Sequence, residues 1–520
     1  MTTHLLAIST YQQLRMPIFI YPTLTSVSGF LLIISCFLFA CQTEKETHAS
    51  AYEQFLSQAY ARGQFNGNAL ILKEGEIIYQ GAFGLSNIDP IDSLSLNSVF
   101  RLGSVSKQFT AMGIMILKEK GQLSYDQDIR DILPELPYQG ITIRHLLHHM
   151  SGLPDYYAHM MEAWYPDLTV DDPDKFISGN EDIIRFLADK TPAVRFQPGE
   201  QWEYSNTGYV LLASIITRIS GMPFEQYLNE QIFEPANMSN TVVYSYKIGP
   251  DPLMPNRVFG FRLGMNGTDL ISHDAHFLNA AQGDGGIYST LEDLVKWDRI
   301  LYTDALISSS TREEAFTPGI LNDGDTSRYG FGWFIDSSLS GKKVVAHTGG
   351  WVGFVTYILR EIEEDNCIII LTNNSGRYFG PVMQGLTNIL HHEPYAIPRL
   401  SIAEAIGKVI MNEGAEAAVV AYKHLKSEQA DEYWFGEGEL NSLGYQLLAT
   451  DHAEEAVAIF RLNTEEFPTS ANVFDSYGDG LLARGDTVNA LLQFKQCLLL
   501  DSTIIATKEK IRQIERGDRP

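Results

Sequence analysis

A serine and a lysine three residues apart, Ser104 and Lys107, are the first pair in this chain that could do chemistry. They follow Gly103 and precede an apolar helical pattern that starts at Phe109. Side chains three apart on a helix share a face, so the amine can reach the hydroxyl. A serine hydroxyl is a weak nucleophile until a base takes its proton, and N–H groups of a first helical turn can hold an oxyanion. The pair therefore predicts a nucleophile and its base at a helix start.

The pair alone does not distinguish an active site from an ordinary helix start. A second Ser-x-x-Lys, Ser340 and Lys343, lies in a polar stretch that is typical of a turn. Ser104 also suits an N-cap and Lys107 a solvated first turn, because short motifs match by chance. The functional interpretation needs support from the rest of the chain.

Two further short motifs supply that support. Tyr204-Ser-Asn206 lies in a turn-rich loop before a helix predicted at 210–220, and loops often present functional side chains. His347-Thr-Gly-Gly350 ends a predicted strand. Taken singly, the first is also consistent with a core tyrosine, and the second with a turn that carries a surface histidine.

The three ordered motifs resemble those of the serine hydrolase family of class C β-lactamases, penicillin-binding D-alanyl-D-alanine peptidases and related esterases. The resemblance covers most of residues 50–397. Its flanking stretches are Ser106-Lys-Gln-Phe-Thr-Ala111, His149-Met-Ser-Gly-Leu153 and Gly285-Gly-Ile-Tyr-Ser-Thr290. By this resemblance the chain is expected to be an enzyme that needs no metal and no organic cofactor.

The resemblance assigns roles to individual residues. Ser104 is expected to be the acylated nucleophile, and Lys107 to share its proton network. Tyr204 is expected to carry a proton between nucleophile and leaving group. Asn206 is expected to orient Lys107 and the substrate amide. The backbone N–H groups of Ser104 and Gly350 are expected to form the oxyanion hole.

The third motif departs from the family pattern at His347. The lactamases and peptidases more often carry lysine there, whereas histidine is familiar in the esterase and aminopeptidase branches. A histidine at the rim of the pocket is charged only part of the time near neutral pH. It therefore disfavours β-lactam hydrolysis but leaves acyl-enzyme chemistry in place. Thr348 and Gly349 are expected to contact the substrate.

Composition limits the possible partners. The chain has 520 residues, of which 45% are hydrophobic, and this suits two or three globular domains. Its formal net charge of −26 argues against nucleic acid, whose binding needs clustered Lys and Arg. The four cysteines form neither a disulfide framework nor a metal-binding spacing.

The first 40 residues contain one charge, Arg15, and end in the uncharged run Met16 to Ala40. The sequence Leu38-Phe-Ala-Cys41 resembles a bacterial lipobox, with Cys41 as the lipidated residue. Residues 1–40 are therefore predicted to be a signal peptide and 41–50 a tether, with the body in the periplasm or at the cell surface. The alternative is a single membrane-spanning anchor, which the length permits.

The remaining pattern predicts two domains. Residues 51–397 read as α+β: a helix, a hairpin over 68–83, helices, and a late series of antiparallel strands. Residues 398–520 read as all helix, and Gly444 and Phe460 recur 34 residues later as Gly478 and Phe494. That period resembles tetratricopeptide repeats. A plain helical bundle that caps the catalytic body is the alternative.

These observations predict an exported, membrane-tethered serine hydrolase that acts through a Ser104 acyl-enzyme. Its substrate would be an ester or a peptide-like amide, either a small molecule or a peptidoglycan-like compound. Two alternatives remain: a penicillin-binding sensor, and a surface adaptor whose repeats bind a protein partner.

Overall fold

The computed structural model describes residues 49–164, 178–244, 254–265, 268–338, 341–374 and 376–516. The predicted signal peptide and Cys41 lie outside these residues. The chain divides into two units, 1–50 and 51–520, and the strands and helices from residue 51 onward form the second. No helix within the described ranges combines the length and the apolar character needed to cross a bilayer.

The strands are short except in one sheet. In chain order they are β1 Gly67–Lys73, β2 Glu76–Phe83, β3 Leu85–Ile88, β4 Ile91–Ser93, β5 Phe100–Arg101, β6 Val242–Val243, β7 Phe261–Leu263, β8 Leu270–Ser272, β9 Ile287–Ser289, β10 Phe334–Ser337, β11 Lys343–Trp351, β12 Phe354–Glu361, β13 Asn366–Thr372, β14 Leu400–Ser401 and β15 Tyr433–Trp434.

Helices occupy most of the rest. They are α1 (49–61 of the described residues), α2 Lys107–Glu119, α3 Ile143–Leu147, α4 Tyr156–Trp164, α5 Asn180–Lys190, α6 Asn206–Ser220, α7 Phe224–Leu228, α8 Leu291–Ile300, α9 Ser309–Ala315, α10 Phe379–Leu390, α11 Ile402–Glu413, α12 Ala415–Glu428, α13 Glu437–Leu448, α14 Ala453–Glu466, α15 Ala471–Ala483, α16 Thr487–Leu500 and α17 Ile505–Arg516. A 3₁₀ turn, Gly103–Ser106, precedes α2 directly.

The main sheet has six strands in the order β10-β11-β12-β13-β1-β2, and each neighbouring pair is antiparallel. The first hairpin thus pairs with the last strand of the series, as Gly67 lies opposite Thr372. The α+β architecture, the hairpin and the strand series are all confirmed.

Alternating side chains of β13 build two separate cores. Cys367, Ile369 and Leu371 belong to the large core that includes α2, α6 and α8. Ile368 and Ile370 belong to the core under α1 and α10. Successive side chains of a strand point to opposite faces, so a run that is apolar throughout is buried on both sides. This layering holds β11 and the start of α2 in fixed positions.

The C-terminal helices repeat one contact. A Cβ on Gly444 would lie 2.4 Å from the Phe460 ring, and a Cβ on Gly478 would lie 2.4 Å from the Phe494 ring. Each glycine therefore lets a phenylalanine of the next helix pack against its backbone. The sequence offset of 34 residues corresponds to the same packing in two successive helical hairpins.

Candidate active site

The nucleophile turn exposes a single residue. From residue 98 to residue 117 only Ser104 is not buried. Gly103 precedes it with φ +54, and a Cβ there would lie 2.7 Å from the backbone N of Gly350. A side chain would therefore clash as well as strain the backbone. The prediction of an α-helical Ser104 is wrong in detail, since Ser104 lies in the 3₁₀ turn and α2 begins at Lys107.

The end of β11 lies directly against this turn. A Cβ on Gly349 would lie 1.9 Å from the carbonyl O of Leu102, which also accepts a hydrogen bond of 2.6 Å from Thr356 Oγ1. Because Gly349 has no side chain, Gly350 can border the nucleophile. Gly349 is buried and Thr348 is exposed. Gly349 thus has a packing function beside the substrate contact that the sequence predicts.

Lys107 connects the first two motifs. Its fully buried ammonium nitrogen lies 3.0 Å from Ser104 Oγ, 2.8 Å from Asn206 Oδ1 and 2.8 Å from the carbonyl O of Asp284. Two of these three neighbours are carbonyl oxygens that can only accept. Two hydrogens on Nζ are therefore donated to these two carbonyl oxygens. The remaining tetrahedral position of Nζ, which holds either a hydrogen or the lone pair, faces the serine hydroxyl.

A carboxylate holds Asn206 in this arrangement. Asp155 Oδ2 accepts hydrogen bonds from the Asn206 backbone N at 2.8 Å and from its Nδ2 at 2.9 Å. The same oxygen thus starts α6 and fixes the amide so that Oδ1 faces Lys107. Sequence reasoning missed Asp155, although it lies two residues after the quoted His149-Met-Ser-Gly-Leu153 stretch.

Tyr204 lies over the buried amine. The Lys107 Nζ is 5.0 Å from the centroid of the Tyr204 ring. The other face of the site is aromatic: the ring of His149 is 4.3 Å from that of Tyr204, and Phe334 stacks on Tyr204 at 6.4 Å. This packing fixes the Tyr204 ring beside the Lys107 amine.

His149 is a buried neutral base under Tyr204. It adopts φ +58, and its Nδ1 accepts a hydrogen bond of 3.2 Å from the backbone N of Ser205. Burial holds the pKa of His149 well below its usual range, and the nearby charge of Lys107 acts in the same direction. His149, the first residue of one of the flanking stretches, thus supports the loop that carries Tyr204.

His347 differs from its predicted place at the rim. It is 2% exposed, and its Nε2 lies 2.9 Å from the hydroxyl of Tyr329 while its Nδ1 lies 2.6 Å from the carbonyl O of Thr348. A carbonyl can only accept, so Nδ1 carries the proton and Nε2 accepts from Tyr329. Burial and then the charge of Lys107 lower the pKa of His347 to about 3. The histidine is therefore neutral near pH 7.

A small cavity opens beside the nucleophile. Its volume is about 60 Å³, and Ser104, Asn206 and Gly350 line it. Among the described residues, neither Tyr204 nor His347 contributes to its lining. The structure thus brings together the residues for which the sequence predicts a catalytic role.

A family model described as Beta-lactamase matches residues 52–384. The chain belongs to this beta-lactamase family. Among curated members it is 38% identical to penicillin-binding protein 4* of Bacillus subtilis, over 64% of this chain and 74% of that protein. It is 25% identical to a D-aminopeptidase of Gluconobacter oxydans, over 63% of this chain and 60% of that protein.

A solved structure supports the same assignment. The octameric penicillin-binding protein homologue from Pyrococcus abyssi superposes with a TM-score of 0.57 at 27% identity, over 66% of this chain and 77% of that one. This beta-lactamase family member is accordingly a serine hydrolase, as the sequence motifs predicted. The C-terminal helices lie outside the matched family region.

Proposed function

We propose that this serine hydrolase forms an acyl-enzyme on Ser104 with an ester or a peptide-like amide and then hydrolyses it. The observation that carries the proposal is the position of Lys107 Nζ, 3.0 Å from Ser104 Oγ and held by two carbonyl acceptors. A neutral amine in that position has its lone pair directed at the serine hydroxyl, as a general base requires.

The reaction balances with the groups present. The proton of the Ser104 hydroxyl moves to Lys107 Nζ while Oγ bonds to the substrate carbonyl carbon. The carbonyl oxygen takes the negative charge between the backbone N–H groups of Ser104 and Gly350. The bond to the leaving group then breaks, and the proton passes from Lys107 Nζ through Tyr204 to the leaving group. Water repeats the sequence on the acyl-enzyme and releases the acid.

Two observations support ester or peptide-like amide substrates over β-lactams. The neutral, buried His347 provides no cation for a substrate carboxylate near neutral pH. The relatives include a protein named D-aminopeptidase as well as one named penicillin-binding protein. A D-amino-acid peptide of the peptidoglycan type is therefore the amide to test beside a simple activated ester.

The test is intact-protein mass spectrometry after mixing with 4-nitrophenyl acetate, a penicillin and a D-alanyl peptide. We expect an acyl adduct with at least the ester in wild type and none in Ser104→Ala. The matched control is Ser340→Ala, in the chain's other Ser-x-x-Lys, which should label as wild type does. An adduct that persists in Ser104→Ala, or no wild-type adduct with any probe, would favour the sensor or adaptor alternatives.

We also propose that the protein is exported and tethered through a lipid on Cys41. The support is the apolar run that ends at Ala40-Cys41. Mass spectrometry of the purified N-terminus should show a chain that begins at a diacylated Cys41. A chain that retains residues 1–40 would replace this proposal with the membrane-spanning anchor.

For residues 398–520 we propose tetratricopeptide-type repeats that bind a protein partner. The repeated glycine–phenylalanine contact at a 34-residue offset supports repeats. The Pro-containing stretch His391-His-Glu-Pro-Tyr-Ala-Ile-Pro-Arg399 supports a linker near residue 397, and the Tyr378 hydroxyl donates to Glu404 across it at 2.9 Å. The fragment 51–397 should therefore fold and label on Ser104. If it is insoluble while the whole chain folds, the helices are part of one cooperative domain.

A further inference from the structure

A buried arginine lies three residues before the nucleophile and has an incomplete set of partners. Arg101 is 2% exposed and lines the cavity beside Ser104. Its Nη1 donates a hydrogen bond of 3.0 Å to Asn279 Oδ1, and its guanidinium carbon lies 5.3 Å from the Trp351 ring centroid. Its Nε has no hydrogen-bond partner among the described residues.

Two other arginines with little exposed side chain show what Arg101 lacks. Arg360 is fully buried and forms an ion pair with Asp298 at 2.5 Å, and Arg257 pairs with Asp274 at 2.6 Å. Within the described ranges no carboxylate forms an ion pair with Arg101. Burial of a charge without a counter-charge is strongly unfavourable, so buried charges are normally paired. A guanidinium that is left unpaired in an active-site cavity is suited to an anion that arrives with the substrate.

Among the described residues that line the cavity, none forms an ion pair with the arginine. The Asp284 carboxyl also lines the cavity, and its Oδ2 accepts a hydrogen bond of 2.9 Å from the hydroxyl of Tyr156. Burial raises the pKa of Asp284, which favours its neutral form. Leu278 and Ala281 complete an apolar wall. A dry wall of this kind strengthens the attraction between the guanidinium and an anion.

The lining of the cavity suits the acyl side of the nucleophile. In the proposed reaction Tyr204 serves the leaving group, and Tyr204 does not line this cavity, whereas Asn206 and Gly350 do. A volume of about 60 Å³ holds only a few non-hydrogen atoms, on the scale of several water molecules. This volume suits a short end of the acyl group at Arg101.

We propose that Arg101 binds a carboxylate carried by the acyl part of the substrate, so that the enzyme prefers short acyl groups that end in an acid. This inference rests on the proposed acyl-enzyme function. It places the cation for substrate recognition just before the nucleophile turn, whereas the family motif places it at the position of His347.

The test compares two activated esters of similar size, 4-nitrophenyl hemisuccinate and 4-nitrophenyl butyrate, with the non-enzymatic hydrolysis subtracted. We expect wild type to have the higher kcat/KM for the hemisuccinate. Hydrogen bonds to charged groups are strong enough that Arg101→Gln should reduce the ratio of the two kcat/KM values by about 10- to 100-fold. Arg101→Lys should keep part of the preference, because it keeps the charge but loses the planar fork.

The control variant is Arg185→Gln, whose exposed side chain on α5 has no contact with the site. Its ratio should equal that of wild type. If Arg101→Gln does not fold, the wild-type protein still decides: propionate should slow labelling of Ser104 by 4-nitrophenyl acetate, and propionamide should not.

The outcomes distinguish the role of Arg101 from the proposed function itself. If wild type is acylated equally by both esters and propionate does not protect it, the role of Arg101 is refuted, but the proposed acyl-enzyme function is not. Wild type that acylates with no probe at all refutes the proposed function. A preference for the hemisuccinate that survives in a folded Arg101→Gln assigns the anion to another group and also overturns the inference.

Discussion

Replacing Asp155 should slow acylation even though its carboxylate does not reach the serine. Asp155 Oδ2 accepts from both the backbone N and the Nδ2 of Asn206, and Asn206 Oδ1 in turn accepts from Lys107 Nζ. In Asp155→Ala the amide loses its charged partner and is free to rotate. One of the two acceptors that direct the Lys107 lone pair toward Ser104 is then no longer fixed.

The size of the effect depends on these bonds. A hydrogen bond to a charged group contributes about 1.5–3 kcal/mol, and about 1.4 kcal/mol corresponds to tenfold in rate. If the orientation energy of one such bond is lost from the transition state, acylation slows by about 10- to 100-fold. Asp155→Asn keeps a carbonyl oxygen in place and loses only the charge, so it should lose about tenfold or less.

The assay is the pre-steady-state burst of 4-nitrophenol from 4-nitrophenyl acetate, which measures acylation separately from deacylation. Asp155 Oδ1 also accepts from the backbone N of Tyr157 at the start of α4, so Asp155→Ala is expected to lower stability too. Acylation rates are therefore measured at a temperature well below the thermal unfolding midpoint of each variant. If Asp155 only stabilises the fold, the acylation rate should not change under these conditions. A folded Asp155→Ala that acylates at the wild-type rate would show that Asn206 does not need this carboxylate.

Two further predictions concern the proton network and the response to acid. Lys107→Ala and Tyr204→Phe should each slow the burst by about 10²–10⁴ while the KM changes little, if both transfer protons; a wild-type burst in either variant removes that residue from the network. Burial lowers the pKa of His148 to about 4 and of His347 to about 3, so the unfolded chain, with histidine near 6.5, binds protons first as the pH falls. The contribution of these histidines to folding stability should therefore be complete above about pH 6.5 and should decrease as the pH falls from there to about 3. The measurement is the thermal unfolding midpoint of wild type at about pH 7 and at about pH 5. Equal midpoints would contradict this expectation.

Local spacing predicted the central part of the site. Ser104 and Lys107 are neighbours along the chain, so their contact depends on only one turn of backbone. Asn206 was also predicted through its motif, and its contact with Lys107 spans 99 positions. The third partner of Lys107 is a backbone carbonyl, that of Asp284, and a carbonyl gives no signal in residue types. Such partners are visible only once the chain is folded.

Tertiary contacts explain two differences between the structure and the expectation from sequence: the start of α6 and the environment of His347. The start of α6 was predicted at residue 210 and lies at Asn206, because Asp155 accepts the Asn206 N–H and Thr207 donates to the carbonyl of Pro154. Turn-forming residues thus begin a helix when distant groups cap it. His347 was expected at the rim because the family motif more often has lysine there, and the hydroxyl of Tyr329 allows the burial of the histidine.

The pairing of β1 with β13 imposes an order on the folding of the newly made chain. Gly67 and Thr372 are opposite each other in the sheet but lie at the two ends of the hydrolase region in sequence. The hairpin formed by β1 and β2 is synthesised early and keeps an unpaired edge until β13 is complete, and contacts of such long range form slowly. An exposed edge of apolar residues promotes aggregation. A truncated chain that ends before residue 366 therefore keeps an unpaired edge on its first strands. Premature termination late in the hydrolase region is then as damaging as termination near its start.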